Sequence, residues 1–349
     1  MTSSTGTAQQ PSSKLLSAIS ALAIMVSAAA LASSYSLPTV EFEKVLSEIE
    51  IYSIYGGIEM LWLDGNPILA SIVFVFSMVF PICKLLALGC LWFRHRRHQV
   101  SHRSVLWIEL LGKWSMLDVF IIGAFVGSIR LEIMGGLQLA KGTSQPGIEV
   151  FGAAVLLSMF STVLVGRLVT VGEPLPLRES PRLNHWWSRL LSTGAALTLG
   201  LSLAMPLLEV RKSYFFSNEV ALPATTWRMA HEHEVFLAVA LMLFVMVTPV
   251  LRSVMLLYLR WSRATHSPAT LRRAIFMDGW AMVDVFALGL VVVSIKLDQL
   301  ADTTLLPGFW WVLSAALLVQ ADAWLLRREV RDLSRHNTQG TADTPGTAH

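Results

Sequence analysis

Residues 114–120 read Trp-Ser-Met-Leu-Asp-Val-Phe, and residues 280–286 repeat them as Trp-Ala-Met-Val-Asp-Val-Phe. Shorter landmarks repeat in the same order along both halves of the chain. They are Pro38-x-x-Glu41 with Pro206-x-x-Glu209, Pro81-x-x-Lys84 with Pro249-x-x-Arg252, and Pro146-Gly147 with Pro307-Gly308. The pattern predicts a duplicated unit, with one repeat at 14–170 and the other at 187–328. A cytoplasmic linker at 171–186 joins them, and we expect a disordered tail at 1–13 and a cytoplasmic tail at 329–349.

The composition around these landmarks is that of a membrane protein. Of 349 residues, 54% are hydrophobic and only 15% are charged, whereas a soluble domain has about a quarter charged. The apolar residues are also gathered into long runs. These properties exclude a nucleic-acid binder, a disordered chain and a secreted disulfide scaffold.

A membrane-spanning helix needs roughly 20 mostly apolar residues, because the hydrocarbon layer is about 30 Å thick. The sequence predicts eight such helices, at 15–37, 67–93, 110–134, 148–170, 187–208, 235–260, 275–297 and 307–326. The first is retained rather than cleaved as a signal peptide, since the repeat matches it to an internal helix. With four helices in each repeat, the two repeats have the same orientation in the membrane. The expected fold is therefore an all-α integral membrane protein built from two parallel four-helix repeats.

The basic residues predict the orientation. Of 27 Lys and Arg residues, 17 fall in segments on the side of the N-terminus and 7 on the opposite side. Because positive residues are retained in the cytoplasm, both termini are expected there.

The longest outer loop, 38–66, alternates apolar and polar residues around Ile49 and Ile51 before Gly56-Gly57. Alternation with a period of two is typical of a strand, and paired glycines are typical of a turn. We expect a small β element from this loop and from its counterpart at 209–234.

Four of the charged residues in the predicted helices lie at membrane depth and at equivalent positions of the two repeats. Charges at membrane depth are costly and face a bundle interior, a water-filled cavity or each other. We expect Lys84 to pair with Asp118, and Arg252 to pair with Asp284, between the second and third helices of each repeat. Two interpretations stay open: structural ion pairs that fix the helix register, or a polar path for a charged lipid headgroup.

Further positions support this candidate site. Pro81 and Pro249 each remove one backbone hydrogen bond beside the cations and predict a kink. Trp114 and Ser115 precede Asp118, and Asp322 is an acid with no equivalent in the first repeat. Lys113, Glu109 and Asp278 are expected to be anchors near the cytoplasmic interface.

No pattern of catalytic or cofactor-binding residues is present in the sequence. The two cysteines, Cys83 and Cys90, are seven residues apart on one helix and are interpreted as packing residues. His231-Glu232-His233-Glu234 is a weak metal candidate, because histidines two apart do not share a helix face. The sequence contains no nucleotide-binding or hydrolase motif. We therefore expect no enzyme activity, no cofactor and no metal.

The motifs together resemble those of the paraquat-inducible protein A family of bacterial inner-membrane proteins. The resemblance rests on Tyr52-Ser-Ile-Tyr-Gly-Gly-Ile58, on Pro81-x-x-Lys84-Leu85 and on Gly112-Lys-Trp-Ser-Met-Leu-Asp-Val-Phe120. It covers about residues 14–330 and is stronger in the first half. The second half has Arg252 in place of the lysine and lacks the Tyr-Ser-x-Tyr-Gly-Gly string.

The resemblance implies a partner protein rather than an enzyme. Such proteins work with a mammalian-cell-entry (MCE) domain protein whose rings form a periplasmic tunnel for phospholipid, and they support envelope integrity. The family's zinc-ribbon segments have no counterpart, because the first tail and residues 171–186 contain no cysteine. The alternative is a scaffold that only anchors or assembles the MCE partner. A membrane redox enzyme is disfavoured, because the helices carry no haem-like histidine pairs.

Overall fold

The structure is a computed structural model, and it describes most of the chain. The described residues are 11–44, 47–63, 65, 67–96, 120, 130–133, 137–170, 186–211, 217–232, 234–262, 268–300 and 302–342. The chain divides into two compact units. The first comprises residues 1–38, 53–115 and 146–174, and the second comprises residues 39–52, 116–145 and 175–349.

The first unit is helical throughout its described part. Its helices are α1 (Pro11–Ser34), α2 (Ile54–Leu63), α3 (Pro67–Phe74), α4 (Phe80–Arg96) and α5 (Pro146–Thr170). A π-helical turn at Val75–Val79 joins α3 to α4, so that the helical segment Ala70–Arg94 is continuous.

The second unit combines helices with two antiparallel sheets. The helices are α6 (Trp186–Ala204), α7 (Leu222–His231), α8 (Val235–Leu241), α9 (Thr248–Trp261), α10 (Pro268–Trp280), α11 (Val283–Leu300) and α12 (Pro307–Ala342). A second π-helical turn, Met242–Val247, joins α8 to α9.

Six helices of the described residues are long and apolar enough to cross a membrane. They are Leu15–Ser34, Ala70–Arg94, Pro146–Leu168, Val235–Trp261, Arg273–Ile295 and Pro307–Glu329. This confirms a multi-pass membrane protein. The predicted fifth span corresponds to α6, and most of the predicted third span lies outside the described residues.

Several predicted helix ends were wrong. Residues 130–133 form a strand rather than the end of the third span, and α6 ends at Ala204 rather than at 208. Helix α12 continues to Ala342, into the expected tail.

The expected β elements are confirmed in both halves of the chain. One sheet contains β1 (Pro38–Lys44), β2 (Ser47–Ser53), β3 (Arg130–Ile133) and β4 (Leu137–Ser144) in the order β2-β1-β4-β3. The other contains β5 (Leu208–Arg211), β6 (Ser217–Val220) and β7 (Asp302–Leu305) in the order β6-β5-β7. Strands β3, β4 and β7 were not predicted. β3 and β4 form a local hairpin in a region where a helix was expected to continue to 134, whereas β7 is a four-residue strand whose partner β5 lies far away in the sequence. Leu208, for example, pairs with Leu305.

The expected turn at Gly56-Gly57 was wrong, because both glycines lie in the first turn and a half of α2. The strand ends at Ser53, and the Ser53 hydroxyl accepts a hydrogen bond from the Gly56 N–H at 3.1 Å. A serine that accepts from the third helical N–H is a typical N-cap. Ser53 therefore switches the chain directly from strand to helix.

Small buried residues at heptad spacing pack the first and last helices of each half together. On α1 they are Ser20, Ser27 and Ser34, and on α6 they are Ser188, Ser192, Ala195 and Ser202. Ser20, Ser27 and Ser34 are 168 residues before Ser188, Ala195 and Ser202. Lipid supplies no hydrophobic drive between helices, so that small residues which allow close backbone approach favour association. The packing thus repeats where the sequence landmarks had not revealed it.

Replacing Ser27 with leucine is expected to destabilise the first unit by about 1–3 kcal/mol through overpacking. Its hydroxyl donates to the Ala154 carbonyl oxygen at 2.7 Å, which leaves no room for a larger side chain. The matched control is Val26→Leu, because Val26 is exposed on the same helix. Thermal unfolding of the purified proteins in detergent measures both. Equal midpoints for the two variants would contradict the close packing.

The Pro-Gly landmarks of the two repeats lie at equivalent close contacts. A Cβ atom on Gly147 would lie 2.9 Å from the Leu37 carbonyl oxygen and closer still to that of Pro38. A Cβ atom on Gly308 would lie 2.6 Å from the Met205 carbonyl oxygen and closer still to that of Pro206. The Gly308 N–H also donates to the Pro206 carbonyl oxygen at 3.0 Å. Glycine is therefore required wherever the last helix of a half begins.

Candidate functional site

A π-helical turn lies just before Pro81 and another just before Pro249, the two positions at which the sequence predicts a kink. In each turn, a backbone N–H donates five residues back, from Phe80 to Val75 and from Thr248 to Leu243. The next residue is the proline, which has no N–H to continue the ladder. Carbonyl groups just before each proline therefore need a donor from outside their own helix.

Different groups supply that donor in the two units. In the first unit, the Tyr35 hydroxyl donates to the Ser77 carbonyl oxygen at 3.1 Å. In the second unit, the Met282 N–H donates to the Phe244 carbonyl oxygen at 3.1 Å. The Met282 N–H is available for this hydrogen bond because the chain is not helical at residues 281–282, between α10 and α11. The predicted span at 275–297 therefore corresponds to Arg273–Ile295, but it contains a break at residues 281–282.

The break determines the surroundings of Asp284. This residue lies in the first turn of α11, where the helix dipole favours a negative charge. Its carboxylate also accepts a short hydrogen bond from the Gln320 side chain on α12.

Lys84 lies on α4 in the first unit and is fully buried. Its ammonium donates to the Ser158 hydroxyl on α5 at 2.8 Å. Within the described residues, no carboxylate lies within ion-pair distance of Lys84. The expected partner Asp118 lies outside the described residues, as do Lys113, Trp114, Ser115 and Glu109. The Lys84–Asp118 pair therefore stays a prediction.

Arg252 is also fully buried, but its partners differ from the one we expected. Its Nε atom lies 3.0 Å from the Asp278 carboxylate, and its NH1 atom lies 3.7 Å from that of Asp322. Both acids are buried. The structure thus does not bring Arg252 together with Asp284, because Asp278 lies before the helix break and Asp284 after it.

We expected Asp278 to be an anchor near the cytoplasmic interface, but its side chain is buried in the protein. It is 3% exposed and accepts from Arg327 on α12 as well as pairing with Arg252. It therefore links α9, α10 and α12.

Arg260 is fully buried on α9, although the distribution of basic residues predicts a cytoplasmic charge at this position. Its NH1 atom lies 2.5 Å from both the Asp322 carboxylate and the Ser192 hydroxyl, and it donates to the Ser188 carbonyl oxygen. Ser192 donates to Asp322 at 2.8 Å. Asp322, the acid without an equivalent in the first repeat, therefore joins Arg252 to Arg260.

These residues form a buried polar cluster in the second unit, which we call the Arg252–Arg260 cluster. It consists of Arg252, Arg260, Asp278 and Asp322 with Ser192 at its edge. Arg327 also contacts Asp278, and Glu329 lies 3.7 Å from Arg260 NH2. Three cations therefore face three acids, so that the charges balance without a ligand. One sign of it is visible in the sequence: Ser188 and Ser192 are small polar residues one turn apart on α6, and in the structure both contact Arg260.

The cysteines and the His-Glu-His-Glu stretch hold no ligand set in the described part of the chain. Cys83 and Cys90 are free thiols on the exposed surface of α4, which is a membrane span, so that they are not core packing residues. His231 is exposed and its Nδ1 lies 2.9 Å from the Trp227 carbonyl oxygen. Among the described residues, no three His, Cys, Asp or Glu residues converge on one point; His233 lies outside them.

Comparison with known proteins gives one family. The sequence profile described as paraquat-inducible protein A matches residues 16–167 and 183–330. These segments begin and end within four residues of the two predicted repeats.

Three relatives illustrate the similarity. Intermembrane transport protein PqiA of Escherichia coli strain K12 is 29% identical over 116 residues, which are 32% of this chain and 27% of that protein. The probable intermembrane transport protein of Haemophilus influenzae is 28% identical over 116 residues, 32% of this chain and 26% of that protein. Lipophilic envelope-spanning tunnel protein A of E. coli K12 is 22% identical over 318 residues, 80% of this chain and 74% of that protein.

The chain therefore spans about a quarter of the length of the intermembrane transport proteins that it matches. No solved structure matches it.

Proposed function

Because the chain belongs to the paraquat-inducible protein A family, we propose that it passes phospholipid between the inner membrane and a periplasmic tunnel formed by an MCE-domain partner. The names of its relatives support a role in transport between membranes. We further propose eight spans in two parallel repeats, with both termini in the cytoplasm and the two sheets in the periplasm. No enzymatic step is part of this proposal.

The observation that carries the proposal is that the buried Lys84 ammonium has one hydroxyl group as its hydrogen-bond partner among the described residues. An ammonium has three donors, and within the described residues Lys84 uses one of them, toward Ser158. A buried cation in a membrane protein marks a candidate ion or substrate pathway. We propose that Lys84 and Asp118 line the polar path along which a phospholipid headgroup moves, and that Asp284 lines its counterpart in the second half.

We expect Lys84→Gln to lower phospholipid transfer by at least about tenfold. The reason is that a hydrogen bond from a charged group contributes about 1.5–3 kcal/mol, and about 1.4 kcal/mol corresponds to a tenfold rate. The assay follows a fluorescent phospholipid from vesicles containing the chain to vesicles containing the MCE partner. Glu149→Gln, an exposed acid at the start of α5, is the control and should transfer normally. Asp118→Asn and Asp284→Asn are tested singly and together in the same assay.

Folding and partner binding are confirmed for each variant before transfer is measured. Normal transfer by Lys84→Gln and by the Asp118→Asn/Asp284→Asn double variant would exclude the polar path. In cells, sensitivity to detergents provides an independent measure of envelope integrity.

The alternative function is a scaffold that anchors or assembles the MCE partner without moving lipid. The charge balance of the Arg252–Arg260 cluster favours it, since buried pairs of this kind fix one helix arrangement. If the chain is such a scaffold, the Lys84, Asp118 and Asp284 variants would bind less partner only to the extent that less of the protein is folded.

A further inference from the structure

Two ten-residue helices occupy equivalent positions in the halves of the chain. Helix α2 covers Ile54–Leu63 and α7 covers Leu222–His231, each offset by 168 residues from the other. Each follows a strand and precedes a membrane span. A helix of this length is about 15 Å long, which is half of what a membrane crossing requires.

The exposed surfaces of the two helices differ in kind. Helix α2 exposes Tyr55 (63%), Trp62 (59%) and Leu63 (78%), with Met60 beside them. It has no Lys or Arg, and its single charged residue is Glu59. Helix α7 exposes one large apolar residue, Trp227, together with polar residues such as His231. An apolar surface of the α2 kind indicates a partner surface that is itself apolar.

The turn after α2 places this surface at the start of a span. Gly65 has a φ of 77°, a left-handed conformation that glycine adopts without strain, and its N–H donates to the Trp62 carbonyl oxygen at 3.3 Å. The chain thereby reverses from α2 into α3. The exposed surface continues through Ile68, which is 78% exposed, to Phe74 within the span.

We propose that α2 is embedded in the membrane surface, at the boundary between phospholipid headgroups and acyl chains, while α7 faces water. Two observations favour lipid over a protein partner. Exposed apolar residues follow α2 through Ile68 to Phe74 in the next span, and α2 exposes Tyr and Trp, the residues enriched at membrane boundaries. A helix that is apolar on its exposed side lies in this boundary when it is too short to span.

This placement gives a physical role to the string Tyr52-Ser-Ile-Tyr-Gly-Gly-Ile58, which occurs only in the first half. Ser53 caps the helix, Ile54 is buried beneath it, and Tyr55 is exposed toward the membrane. The string is therefore the point at which the chain passes from strand to membrane surface. In the orientation proposed above, that surface is the periplasmic leaflet.

Site-directed spin labelling tests this inference in the full chain. Cys83→Ser and Cys90→Ser remove the native thiols, and single cysteines then replace Trp62 and Leu63 or the equivalent Ala230 and His231. All four positions are exposed, so that labelling leaves the packing intact. The protein is reconstituted in vesicles of phosphatidylethanolamine and phosphatidylglycerol. Collision of each label with oxygen, which partitions into lipid, is compared with collision with a water-soluble nickel chelate.

We expect a several-fold higher ratio of oxygen to nickel collisions at 62 and 63 than at 230 and 231. Equal ratios at the two helices would overturn the inference. So would nickel access at 63 that disappears only when the MCE partner is added, because that result identifies α2 as a protein-docking surface. Label at 55 repeats the test if a variant at 62 does not fold. The outcome does not depend on transfer activity, so that failure here leaves the proposed transport function standing.

Discussion

Replacing Asp322 with leucine is expected to lower the free energy of unfolding by about 3–5 kcal/mol, the cost of breaking a buried ion pair from one side. The carboxylate lies 2.5 Å from Arg260 NH1 and 3.7 Å from Arg252 NH1. Both cations are fully buried. Removing the acid leaves Arg260 without its nearest counter-charge, whereas Arg252 keeps Asp278.

The measurement is a denaturation series in mixed micelles on the purified variants. Arg273→Gln, which alters an exposed charge in the same unit, should change the free energy of unfolding by less than about 0.5 kcal/mol. The double variant Arg260→Met/Asp322→Leu should recover much of the lost stability, because both charges of the pair are then absent. A double variant as unstable as the sum of the two single variants would contradict a direct pair.

Replacing Gly308 with alanine is expected to cost about 3 kcal/mol or more, at the upper end of overpacking effects. The added Cβ would lie 2.6 Å from the Met205 carbonyl oxygen and closer to that of Pro206. Both atoms belong to backbone, which cannot rotate away as a flexible side chain would. Thermal unfolding and the yield of folded protein in membranes measure the effect.

Gly200→Ala is the matched control, because a Cβ at Gly200 in α6 would meet nothing within 4 Å. That variant should be neutral, or stabilising by up to about 1 kcal/mol, since alanine favours a helix over glycine. Gly147→Ala should resemble Gly308→Ala, because it meets the equivalent carbonyl groups of Leu37 and Pro38. A Gly308→Ala variant with the stability of Gly200→Ala would mean that the two backbones separate at little cost.

The sequence predicted most of the membrane helices, because each depends on a run of neighbouring apolar residues. It predicted strand β2 for a similar reason, since alternation is a local pattern. It missed the β3–β4 hairpin, which lies where the third span was expected to end, and it missed the pairing of β4 with β1 and of β7 with β5, whose residues are distant along the chain. It also missed the helix at Ile54, where one serine hydroxyl outweighed the turn preference of two glycines.

The candidate site was predicted in part. Lys84 and Arg252 are both fully buried, which follows from their positions inside apolar runs and equivalent places in the repeat. The partners of Arg252 could not be predicted, because they depend on the break at residues 281–282. At this break the Met282 N–H donates to the Phe244 carbonyl oxygen, a contact between residues far apart in the sequence. The repeat matches Asp284 to Asp118 and therefore favoured Asp284 over Asp278 as the partner of Arg252.

The sequence by itself thus determined the class of the protein, its repeated landmarks and its family, since these depend on composition and on the order of residues. Only the tertiary structure decided which side chain each buried cation contacts: Arg260 contacts Asp322, Arg252 contacts Asp278, and Lys84 contacts Ser158. The physical reason is the distance along the chain over which each interaction is determined. An apolar run expresses its preference for lipid residue by residue, whereas an ion pair forms between helices whose separation is set by serines, glycines and proline-freed carbonyl groups elsewhere in the chain.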